Sequence, residues 1–353
     1  MTGYSKQIAR AAEDLEQAKR YCGDNSEVGV SNEGLITLCL TTHTATVQQV
    51  TAALRTSQET VRASGREMAG AGTYYRETDA ENAANVDATY PASKRGNSAP
   101  PPSGGSASAF PDKVEPTSFM TPPKPPEEFS QGLLLDTFND ASDLMSPTYW
   151  ITEAYNMIFG FNPLDEVIQW FAGDWESFAK CAELWTKLGK AFEGVASNLA
   201  AGNTTLDGTW SGNAADAAFV YFEGLIKNLN EAKDTLDSLC TEYGQLAHAA
   251  YSSAEAIKGV IGGIIDGLLI VALEMAAGTL LSWTGVGAAV GYGLAALEIA
   301  NILRLWGQAT AMFAKAQAIV NGGVGVIEAL GTTIYHSSVT FPAPGKTYDH
   351  PAA

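Results

Sequence analysis

The chain has 353 residues, 46% of them hydrophobic and only 17% charged, which is enough apolar material for a sizeable core. Its formal net charge is -18, which excludes the Lys/Arg surface that nucleic acid requires and docking on anionic lipid through basic residues. Residues 1–30 contain neither an apolar signal core nor a cleavage site, so the chain does not read as a general-pathway export substrate.

Residues 1–90 are alanine-rich and helical in pattern. Ile8, Ala11, Leu15, Ala18 and Cys22 fall at spacings of three and four, and Leu40, Val47, Val50, Leu54, Val61 and Met68 continue the period. The segment between them is rich in Gly, Asn and Ser, so two helices joined near Gly29–Asn32 are expected. Residues 91–130 carry most of the prolines, mixed with Ser and Gly, and read as a semi-extended linker.

Residues 131–340 return to helical patterning. One or two short helices are expected over 131–172, with Pro147 and Pro163 in their first turns. Two long apolar stripes follow. The first runs through Trp175, Phe178, Ala182, Trp185, Leu188, Phe192, Val195, Leu199 and Leu206. The second runs through Phe222, Ile226, Leu229, Ala232, Leu236, Leu239, Tyr243, Leu246 and Ala250. Each is the seam of one arm of an antiparallel hairpin, and the Gly/Asn/Thr-rich segment around Trp210-Ser211-Gly212 is its turn. Residues 256–333 are apolar and glycine-rich, and 275–297 carry no charge, about the length a membrane span requires. Asp266, Glu274 and Glu298 flank that run and no Lys/Arg cluster marks a topology, which favours a buried helical layer. Insertion after export, or lining of an oligomeric pore, is the sharper alternative. Residues 341–353 form a proline-punctuated tail. The expected fold is all-α: long antiparallel hairpins in a bundle, with an additional apolar C-terminal layer.

The cysteines fit no zinc or redox spacing. Cys22 and Cys39 are symmetric about the first expected turn, and Cys181 and Cys240 about the second. Each pair is either a disulfide stapling its hairpin or two buried thiols, and the sequence leaves both open. No catalytic, cofactor or metal constellation is found. Gly285, Gly287 and Gly291 have the wrong spacing for a dinucleotide loop, and Gly345-Lys346-Thr347 lacks the first glycine of a phosphate loop, with Thr340 in its place. His43, His248, His336 and His350 are scattered.

Two motifs remain. A Trp-x-Gly, Trp210 to Gly212, sits between the two long seams. A Tyr-x-x-x-acid occurs twice, as Tyr251 with Glu255 and as Tyr75 with Asp79. At this spacing the ring and the carboxylate share one helix face. Tyr251 lies ~60 Å along a straight helix from Trp210, so they cannot meet within one hairpin.

These residues resemble the Trp-x-Gly helical-hairpin family of type VII secretion substrates, over residues 165–257 above all. Residues 1–90 resemble a related secretion-associated hairpin, although no Trp-x-Gly stands at its turn. The two-part arrangement is similar to fused PE-like and PPE-like proteins of actinobacteria. It is also similar to the export-targeting regions of actinobacterial polymorphic toxins and of a mycobacterial channel-toxin. The resemblance implies a secreted or cell-surface, non-catalytic protein that engages the type VII motor ATPase through a bipartite signal. That signal would be Trp210, Gly212, Tyr75 and Asp79, with Tyr251 and Glu255 as a second element or a contact with another subunit. A homo-oligomer or hairpin partner, and membrane contact, are further expectations. A pore-forming secreted protein and a cytoplasmic adaptor escorting a separate toxin are the alternatives.

Overall fold

The computed structural model describes residues 1–77, 110–129, 149–281 and 286–341, and among these there is no strand. Helices α1 (Thr2–Asn25) and α2 (Thr37–Glu77) form the first hairpin. A strap, residues 110–129, contains one 3-10 turn at Pro116–Phe119. Two short helices follow, α3 (Tyr149–Ile158) and α4 (Pro163–Trp170). Helices α5 (Trp175–Asp207) and α6 (Asn213–Leu281) form the second hairpin. Helix α7 (Val286–Val339) folds back along α6 and also packs on α2.

The helix starts follow local chemistry. Pro163 occupies the first turn of α4, and the Asn162 side chain accepts from the Leu164 N–H at 3.0 Å. Asp174 caps α5 by accepting from Ser177 N at 2.9 Å, and its other oxygen accepts from Gly29 N at 3.0 Å. One carboxylate therefore ties the connector of the first hairpin to the start of the second. The two backbones meet closely here. Gly34 has φ +79 and presses on the Ala172 and Gln169 carbonyls, while Gly173 has φ +128 and sits on Ile36. A side chain at either position would combine left-handed strain with a collision. Pro147 lies outside the described residues.

The apolar stripes become the core. Ile8, Ala11, Leu15, Ala18 and Cys22 on α1 are all buried, as are Trp175, Phe178, Trp185, Leu188, Phe192, Val195, Leu199 and Leu206 on α5. Burial of each large side chain contributes about 1.5–3 kcal/mol. Tyr4 extends the α1 stripe by one step. Its ring packs edge-on against Phe222 at 4.9 Å and its hydroxyl donates to the Leu199 carbonyl at 3.0 Å. The ring fits because Gly202 on α5 has no side chain to block it.

Three expectations need correction. The symmetric turn near Gly29–Asn32 is not present. α1 stops at Asn25 and the chain climbs beside α2, so α2 overshoots its partner by three turns. Ile8 therefore faces Gly65, and Cys22 lies 3.9 Å from Thr51, not beside Cys39. In the second hairpin the register is also offset, and the Thr186 hydroxyl donates to Cys240 Sγ at 3.0 Å. All four cysteines are free thiols, and burial pushes those of Cys22, Cys39 and Cys181 up to about 12. The second correction concerns the apolar C-terminal layer, which is present but only half buried over its described part, the side chains of 276–295 lying outside the described residues. α7 buries one face through Ile302, Ala309, Ala316, Val320, Ile327 and Ile334, while Leu297, Leu303, Ile319 and Val326 are exposed. Third, residues 110–129 do not span freely but lie packed along α1 and α5.

One buried imidazole joins both hairpins. His43 Nε2 lies 2.8 Å from the Ser26 carbonyl, which can only accept, so Nε2 carries the proton. Nδ1 then accepts from the Tyr243 hydroxyl at 2.9 Å. Burial lowers the His43 pKa below the ordinary imidazole value, with the Ser26 bond opposing. As pH falls through 6.5 the unfolded chain takes up this proton before the folded chain does, so the His43 contribution to stability is lost on acidification. Asp14 acts in the opposite sense, since burial, then Asp112 and Glu13, push its carboxyl up to about 6. The His43 contribution is isolated by comparison with His43→Gln. The stability difference, wild type minus variant, should fall between pH 7 and 5 with a slope of at most about 1.4 kcal/mol per pH unit in urea titrations. A flat difference would show that His43 titrates alike in both states.

Candidate functional site

The α5–α6 turn is short. Gly208 ends α5, Trp210 N donates to the Leu206 carbonyl at 2.9 Å, and Gly212 has φ +116 just before α6 begins. Gly212 is required there because the backbone reverses in the left-handed region. The turn falls at Gly208–Gly212, around the Trp210-Ser211-Gly212 tripeptide as expected. Trp210 is buried at 8% exposure, so its indole is a wall of the site and not a projecting anchor.

The wall on the other side is Tyr75, near the C-terminal end of α2. Its ring meets the Trp210 indole edge-on, with centroids 5.8 Å apart and planes at 76°. Tyr74 packs edge-on against Tyr75 at 6.2 Å. The first hairpin is held in this position by Tyr4 on α5 and by the Ser64–Tyr221 hydroxyl pair at 2.6 Å. The structure thus brings Tyr75 and Trp210 together across two hairpins. Asp79 lies outside the described residues.

Tyr251 and Glu255 are not part of this cluster. They lie far along α6, ~60 Å from its start, where the Tyr251 ring packs against Phe129 of the strap at 5.8 Å. His248 Nδ1 lies 3.6 Å from Glu128 at the same place. Sequence reasoning missed Phe129, which carried no periodic signal, and Tyr4, whose spacing of four from Ile8 did mark it. Among the described residues no group of three or more His, Cys, Asp or Glu side chains is arranged to hold a metal ion.

Residues 165–305 match the WXG100 like domain. The match runs from α4 through the first part of α7 and contains the Trp210–Gly212 turn. It covers less than half of the chain, and leaves the first hairpin and the strap outside it. No curated protein and no solved structure matches the chain. The WXG100-like domain is a helical module associated with type VII secretion, and here its turn is completed by a residue from outside the domain, Tyr75.

That contact is measurable. A double-mutant cycle with Tyr75→Leu and Trp210→Leu should give a coupling of about 0.5–1.5 kcal/mol in chemical denaturation. Additive single effects would mean that the rings do not meet in solution.

Proposed function

We propose that the chain is a secreted, non-catalytic substrate and targeting scaffold of a type VII secretion system. Trp210, Gly212 and Tyr75, with Asp79, form its composite export signal. The observation that carries this reading is the packing of Tyr75 on Trp210, two motif residues 135 positions apart in sequence, at the turn of the WXG100-like domain. The signal is split between the hairpins, so it exists only when the first hairpin is docked. An unfolded chain would present neither half correctly, and the motor ATPase would select folded protein. On this reading the N-terminal hairpin supplies the second half of the signal, an arrangement that resembles fused PE-like and PPE-like chains.

The test compares culture filtrates of cells with and without the motor ATPase. Wild type should appear outside only when the motor is present. Trp210→Ala and Tyr75→Ala should each cut export at least ten-fold while retaining wild-type circular dichroism. Retention of wild type inside the cell regardless of the motor would favour the cytoplasmic adaptor instead.

A second reading is supported by the apolar helices. Two described stretches, Asn213–Met275 and Ala296–Val339, are long and apolar enough to cross a membrane, and only 22% of the apolar window in the second is buried. On this reading α6 and α7 enter a bilayer after export, as a pore-forming protein would. Purified protein should then release dye from zwitterionic vesicles, and vesicles that stay tight at micromolar protein leave the scaffold reading standing alone.

A further inference from the structure

The strap is bound the way a peptide ligand is bound. It lies in a groove between α1 and α5, and the groove reads mainly its main chain. Asn198 on α5, 2% exposed, makes three hydrogen bonds to it. Its Oδ1 accepts from the N–H groups of Lys113 at 2.8 Å and Val114 at 3.0 Å, and its Nδ2 donates to the Val114 carbonyl at 2.8 Å. Further along, the Tyr21 hydroxyl donates to the Thr121 carbonyl at 2.7 Å, and Lys187 donates to the Thr121 and Pro122 carbonyls at 3.1 and 2.9 Å.

Several of the strap's own side chains are read as well: the Phe110 ring packs on Tyr4 at 5.7 Å, and Thr121 Oγ1 accepts from Lys187 at 2.9 Å. Asp112 receives the fork of Arg10, at 2.5 Å to Nε and 3.1 Å to Nη2. Pro116 is buried against Gly194, where an added Cβ would lie 3.2 Å from the ring. A proline-bearing chain suits such a groove, because each proline has a fixed φ and loses little entropy on binding, and the carbonyls outside the 3-10 turn are free to accept. The two hairpins do not depend on the strap for their mutual contact, since Tyr4 reaches Leu199 and Ser64 reaches Tyr221 directly.

We propose that the α1/α5 groove is a binding site for a proline-bearing peptide with a carboxylate near its start, and that residues 110–126 are its internal, displaceable occupant. This is independent of the export reading. A tethered occupant has an effective concentration of roughly millimolar. A free peptide of the same sequence at 0.1 mM therefore loses the competition in the intact chain, and wins once the strap is weakened. A partner carrying this chemistry would need tighter binding than the strap itself.

The test uses a fluorescent synthetic peptide of residues 110–126 and the full chain. Asp112→Ala with Pro116→Ala alters the strap and leaves every groove residue in place. That chain should bind the peptide at least ten-fold more tightly than wild type, and adding Asn198→Ala should remove the gain. A weakened chain that is folded by circular dichroism yet binds no better than wild type overturns the proposal, and so does binding that ignores Asn198→Ala. Hydrogen exchange on the wild-type protein provides a check that needs no variant. The Lys113 and Val114 amides should exchange at least ten-fold faster than amides in the α5 seam, because the strap opens while the hairpins stay closed. Equal rates would mean that the strap leaves only on global unfolding, and would overturn the proposal as well.

Discussion

Tyr4 enters α5 at Gly202, where there is no side chain to meet it, and its hydroxyl finds the Leu199 carbonyl. This is a lock between two helices that a shift of one turn would break. The ring would then meet a side chain, and a buried hydroxyl would lose its acceptor, at a cost of about 1–3 kcal/mol. Because α1 is fixed on α5 here, α2 is fixed too, through the register that places Ile8 opposite Gly65. The end of α2 then falls beside the α5–α6 turn, and Tyr75 arrives at Trp210. The composite site is thus a consequence of a register set near the start of the chain. The same docking creates the groove in which the strap lies.

The opposite end of the bundle is fixed by different means. There the connector of the first hairpin is pressed on the α4–α5 turn, with the Leu35 N–H donating to the Trp170 carbonyl at 2.8 Å. His43, Tyr243 and Phe178 form a polar-aromatic plug behind it, with Tyr243 stacked on Phe178 at 4.7 Å. An aromatic group on α4 and α7 continues outward, where Trp170 stacks on Phe313 at 4.4 Å. Backbone contacts and rings at this end, and a tyrosine in a glycine notch at the other, hold the two hairpins antiparallel, side by side along their length.

Much of this was legible in the sequence, because helical periodicity reports burial directly. Every residue of the α1 stripe and nearly every residue of the α5 and α6 stripes is in the core. The meeting of Tyr75 with Trp210 was expected from the family resemblance, with helix length ruling out Tyr251 as the partner within one hairpin. What failed was the treatment of turns as symmetric. An eleven-residue connector that climbs beside α2 leaves no trace in hydropathy, yet it moved the register and separated Cys22 from Cys39. The strap was read from its prolines as a spacer, because a groove that recognises main chain leaves no mark on side-chain pattern.

The state of the cysteines bears on when this fold is complete. None of the four is bonded to another, and three are buried with their protons held to about pH 12. Packing and hydrogen bonds hold the hairpins with all four as thiols, so the fold is complete without a cross-link. On the export reading proposed above, the two-hairpin surface would therefore be assembled before the chain meets the secretion machinery.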